Sequence, residues 1–116
     1  MRSIALASLL MIGPCMGYSQ SLTTSQARAH DGESAKVCGT VGNQHTAMAS
    51  QGKPTFLDLD SAFPEQRFAL LVWDEDRPKV GELPHTGAHV CATGVINYYH
   101  GVPQITVRNS NQLSRQ

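Results

Sequence analysis

The chain has 116 residues, nine Lys and Arg against nine Asp and Glu, five His, and a formal net charge of zero. This length admits one modest domain and excludes an eight-fold α/β barrel or a two-half dinucleotide fold. The charge balance offers no bulk basic field for nucleic acid or an anionic membrane, and 41% hydrophobic content is enough for a core.

Met1-Arg2-Ser3 gives a short positive start, and Ile4 to Ile12 is an uncharged apolar run of secretory h-region length. Gly17-Tyr18-Ser19 puts small residues where cleavage before Gln20 needs them, so residues 1–19 read as a signal peptide. The apolar run is too short for a membrane anchor. Cys15 follows Pro14, a poor context for lipidation. The expected mature chain has 97 residues with eight bases and nine acids, is exported to the periplasm or secreted, and has no membrane span. It keeps two cysteines, Cys38 and Cys91, and an even pair in an exported chain reads as a disulfide.

Residues 20–34 are polar without an apolar period and read as a flexible leader. Val37, Gly39 and Val41 then alternate with Cys38 and Thr40, the period of a half-buried strand that Gly42-Asn43 interrupts or bends. After a turn at Gln51 to Pro54, Leu57 and Leu59 share one face of a second strand, with Phe56, Asp58 and Asp60 on the other. Phe68 to Trp73 is a continuous apolar run, a strand covered on both faces, ended by the acidic turn Asp74-Glu75-Asp76. Pro78 to Gly87 has room for one or two helical turns. Ala88 to Tyr99 is a long strand with Gly94 as a bend. His100 to Pro103 turns the chain into a last strand, Gln104 to Arg108, and residues 110–116 form a polar tail.

Five strands with a short helical or irregular insert between the third and fourth predict an all-β fold: a five-stranded Greek-key barrel of the oligonucleotide/oligosaccharide-binding (OB) type over residues 35–109. The first and fourth strands are neighbours in that barrel. Cys38 and Cys91 are out of phase with their core residues, so both thiols fall on the same non-core side, where a cross-strand bridge is geometrically sensible.

The segments Val37-Cys38-Gly39-Thr40-Val41, Gly52 to Leu59, Val72-Trp73 with Asp76-Arg77, Val90 to Gly94, and Tyr98 with Gly101 to Ile105 resemble exported bacterial OB-fold proteins of the tRNA-anticodon-binding-like group. The resemblance spans roughly residues 36–108 and implies a nucleic-acid-binding OB domain. Phe56-Leu57-Asp58-Leu59-Asp60 is also similar to the anticodon-binding string in which a phenylalanine stacks on a base, although no arginine follows Leu59 here.

The expected function is therefore weak, sequence-independent binding of single-stranded DNA or RNA. Phe56 is the stacking anchor, Lys53, Arg67 and Arg108 are phosphate contacts, and Tyr98 is a further aromatic contributor. Asp58 and Asp60 count against this, since exposed carboxylates repel a phosphate backbone. The competing expectation is a periplasmic protein-interaction or stress-related OB module that binds another protein and no nucleic acid. His30, His45 and His100 read as isolated surface residues, and His85 with His89 lacks a third ligand at zinc spacing. No cofactor or metal site is expected. No nucleophile–base pairing or Gly-x-Ser-x-Gly elbow is present, so a catalytic role is not expected.

Overall fold

The computed structural model describes residues 21–115. The signal-peptide reading, and Cys15 with it, lies outside the described residues. The described chain is all-β in character, with seven strands and a few short helical turns. The long strands are β2 (Ser34–Thr46) and β5 (His89–Tyr99); between and after them come β3 (Thr55–Leu59), β4 (Phe68–Val72) and β6 (Val102–Thr106). Two three-residue strands, β1 (Ser21–Thr23) and β7 (Leu113–Arg115), flank this set.

The five longer strands close into a ring. β2 pairs antiparallel with β3, β3 with β4, β4 runs parallel to β6, β6 pairs with β5, and β5 returns to β2. Closure requires β2 and β5 to serve two partners each. β2 gives Ser34–Thr40 to β5 and Val41–Thr46 to β3, and its register shifts between Val41 and Asn43. The residue at that bulge is Gly42, where a Cβ would lie 2.6 Å from the backbone of Ser61. Only glycine permits the strand to turn the corner so close to the β3–β4 loop. β5 passes from β2 to β6 between Val95 and Ile96, next to Gly94, where a Cβ would meet Ile105 at 2.7 Å.

The period-2 pattern fills the ring. Val37, Val41, Leu57, Leu59, Phe68, Leu70, Val72, Val90, Ala92, Ile96, Ile105 and Val107 all point inward and are buried. One helical unit lies between β4 and β5: a 3-10 turn at Asp74–Asp76 running into α2 (Arg77–Val80), which adds Val80 to the same core. It begins earlier than the sequence pattern suggests, because the acidic turn is itself helical. Asp76 there is buried and ion-paired to Lys79 at 3.0 Å and Arg108 at 3.5 Å.

The leader and tail expectations need correction. Ser21–Thr23 adds as a parallel strand to β2, and Thr24–Ala27 forms a one-turn helix, α1, capped by Thr23 through a reciprocal bond pair with Gln26. Ala27 is fully buried in the core, and Thr24 Oγ1 donates to the carboxylate of Asp60. A segment with one buried alanine and one buried threonine has no apolar period to detect, yet it packs. At the other end, Leu113–Arg115 pairs with β5, and Gln112 Nε2 donates to the carbonyls of Thr93 and Thr106.

Cys38 and Cys91 stand directly opposite each other across the β2–β5 seam, Cα atoms 4.0 Å apart, and form a disulfide. The bridge spans 53 positions of sequence and so ties together the two strands whose pairing closes the ring. Replacing both cysteines by alanine is expected to lower unfolding stability by about 2–4 kcal/mol, read from urea or thermal denaturation. A loss under about 0.5 kcal/mol would contradict the role given to this bond.

Candidate nucleic-acid interface

The outer face of β3, β4, β6 and the end of β5 carries the side chains left over by the inward set. Register fixes which of them meet. Asn43, Asp58, Ala69, Gln104 and Asn97 form one row across the strands, and His45, Phe56 and Leu71 form the next. The β2–β3 loop rises at one end of this face, and the His100-Gly101 turn between β5 and β6 rises at its side.

Two adjoining clefts open there. The first, about 210 Å³, is lined by residues including His45, Phe56, Asp58, Phe63, Gln66 and Tyr99. The second, about 290 Å³, is lined by Pro54, Leu71 and Trp73 among others, and shares Phe56, Tyr99 and Gln104 with the first. Those three side chains line both clefts. Both volumes fall below the roughly 300–1,000 Å³ of a drug-sized or cofactor site.

Aromatic rings rim the first cleft. His45 stacks on Phe56 with centroids 5.2 Å apart and planes 24° from parallel, and Phe63 lies tilted against His45 at 5.7 Å. Tyr99 stacks on His100 at 4.1 Å, and Tyr99 and Phe63 are each 54% exposed. Large apolar side chains left in water on one face, around a cavity, mark a contact surface.

The floor is polar and unsatisfied. The Asp58 side chain is 1% exposed, and His45 Nε2 approaches its Oδ2 to 3.2 Å. Among the described residues His45 is the one polar side chain within reach of the carboxylate, from the Oδ2 side; neither Asp58 oxygen has a well-aligned hydrogen bond, and Gln66 Oε1 has none either. Burial raises the Asp58 carboxyl above its ordinary range, and the neighbouring His45 charge pulls it partly back.

The five residues expected to bind nucleic acid are not all brought together. Phe56 is half-buried with one ring face against His45, so it is a wall of both clefts and not a free platform. Lys53 lies in the β2–β3 loop outside both clefts, in a separate depression with Trp73 and the acidic Asp74 and Glu75, and Arg67 follows Gln66 at the opposite end of the β3–β4 pair. Arg108 points to the buried Asp76. Tyr98 has the phase of the core residue Ile96, and its hydroxyl donates to the carbonyl of Arg28, fastening α1's end; it belongs to the scaffold. The outward tyrosine is Tyr99. Asp60 is spoken for as well: with φ +66° it leaves the strand, and its carboxylate accepts from the Thr40 amide at 2.9 Å and from Thr24. Asp58 is therefore not the exposed phosphate-repelling group the strand pattern suggests, whereas Asp60 is exposed but is absent from the lining of both clefts.

His45 escaped detection for a definite reason. Positions 43 and 45 share the parity of the inward Val41, and only the bulge at Gly42 turns them outward. Tyr99, by contrast, was countable: parity from Val90 and Ala92 runs unbroken to Ile96 and puts 98 inward and 99 outward. Gln66 comes from an irregular loop and carries no periodic signal. No protein-family model matches the chain, and no curated protein matches it.

Because Asp58 binds its proton more tightly folded than unfolded, its ionisation destabilises the fold as pH rises through the folded value, and that penalty is absent at pH below its unfolded value. Asp58→Asn is thus expected to be more stable than the wild type at pH 7, on the order of 1 kcal/mol, with the advantage shrinking toward pH 4. Thermal denaturation across that range checks it. A less stable variant at pH 7 would mean that the carboxylate serves the fold instead of the cleft.

Proposed function

We propose that the chain is an exported OB-type module that binds single-stranded nucleic acid, weakly and through its bases, on the outer face of β3, β4 and β6. The strand order supports this reading: two long bent strands paired to each other, three short ones between them, and a parallel β4–β6 pair are the features expected of a five-stranded OB barrel. OB barrels take oligonucleotides and oligosaccharides on the face of their second and third strands, between the first and fourth loops. The paired clefts occupy that place, between the β2–β3 loop and the β5–β6 turn. Among the described residues no helix is long and apolar enough to cross a membrane, and the disulfide suits an oxidising compartment outside the cytoplasm.

The observation that carries the proposal is the pair of clefts. Two small adjoining clefts that share Phe56, Tyr99 and Gln104 suit a ligand that repeats, with successive bases placed against the ring faces that His45 and His100 leave open. Lys53 and Arg67, near the two ends, offer contacts for flanking phosphates. With so few cations the binding is dominated by stacking and remains modest, which reconciles it with the neutral composition.

The test is a titration of labelled single-stranded oligonucleotide at two salt concentrations. The log of the affinity is expected to fall with log salt with a shallow slope of about −1 to −2, as two phosphate contacts give. Tyr99→Ala and Phe56→Ala are each expected to weaken binding roughly 5- to 100-fold, the range of one lost base stack. No binding at about 50 µM protein in low salt, within the ordinary range of non-specific affinities, would overturn the proposal.

A further inference from the structure

The first cleft's floor has a chemistry that stacking does not use. Asp58 Oδ1, Asp58 Oδ2 and Gln66 Oε1 are all acceptors, all buried, and all without a hydrogen-bond partner among the described residues. Both residues line the same cleft. Unpaired buried acceptors are costly to a fold, and acceptors gathered in one small cleft make a floor complementary to a group bringing hydrogen-bond donors. The walls restrict that group's shape. The His45–Phe56 stack stands on one side and the Tyr99–His100 stack on another, so a flat ring enters edge first, with its substituents toward Asp58. At about 210 Å³ the cleft has room for one nucleobase.

We infer that this cleft selects a nucleobase with an exocyclic amino group, cytosine over thymine or uracil, by donation of the amino hydrogens to Asp58 and Gln66. This deepens the proposed single-strand binding and rests on it. Cytosine presents its N4 amino group as a donor, for which an aspartate is a matched acceptor. Thymine and uracil present a carbonyl oxygen at the same position, which would set acceptor against acceptor over a buried carboxylate. His45 Nε2, at 3.2 Å from Asp58 Oδ2, holds the carboxylate from that side, so Oδ1 and Gln66 Oε1 are the acceptors left to the ligand. A base lying flat on Tyr99 alone would carry no such preference, because every base has a π-face.

The experiment compares oligo-dC with oligo-dT of equal length by fluorescence anisotropy at pH 7, using the mature chain, Asp58→Asn and Gln66→Ala. The wild type is expected to bind oligo-dC about tenfold more tightly, the value of one good amino–carboxylate match. In Asp58→Asn the side-chain amide can present either an acceptor or a donor, so the two oligonucleotides should bind within about twofold. Gln66→Ala should reduce the preference without abolishing it, and keeps the test open should the Asp58 variant fold poorly. Equal affinity in the wild type, or tighter oligo-dT, would overturn the selectivity while leaving single-strand binding intact. Binding of neither oligonucleotide would overturn both, as would saturable binding of an arginine- or lysine-bearing peptide in their place, which would make the cleft a seat for a basic protein segment.

Discussion

Everything in this small fold depends on two strands that each satisfy two neighbours. β2 and β5 pair with one another along one half and with β3 and β6 along the other. A strand that did so without bending would leave one partner unpaired, so each carries a glycine at the changeover, in contact with backbone or side chain that no Cβ would clear. The cost is backbone entropy at Gly42 and Gly94, and it is offset where the two long strands meet, by the Cys38–Cys91 bridge across their shared ladder. With β2 and β5 joined, β3, β4 and β6 have both edges paired and a common interior to fill.

The same closure decides what faces outward. The bulge at Gly42 reverses the parity of β2 midway, so that the strand's first half sends valines inward while its second half sends His45 out over Phe56 and Asp58. A fold built for stability alone would put an apolar residue at 58, since a buried, unaligned carboxylate contributes little and costs its desolvation. The carboxylate beneath an aromatic rim is the costliest group on this face, and the proposed binding of a nucleobase would give it a partner.

Most of the scaffold was legible in the sequence because its signals are local. Alternation placed Leu57, Leu59, Val37 and Val41 inside, the unbroken apolar run placed β4 between two covered faces, and phase put both cysteines on one side of adjacent strands. What escaped was non-local. Nothing periodic marks residues 21–33, where Ala27 and Thr24 are docked by a bond to Asp60 from a distant loop. The site was half legible: Phe56 and Asp58 follow from the strand's parity, whereas His45 depends on a bulge and Gln66 on a loop path. Residue type alone does not place the candidate cations, since Arg108, though exposed, is paired with the buried Asp76.

The central claim is that the ligand sits in the paired clefts on the outer face of β3, β4 and β6. Amide and side-chain NMR of the labelled mature chain, titrated with a short single-stranded oligonucleotide, tests it most directly. The account predicts shifts concentrated at His45, Phe56, Asp58, Tyr99 and Gln104, with the seam around Cys38, Cys91 and β7 unmoved. Shifts confined to that seam, or none at saturating oligonucleotide, would contradict it.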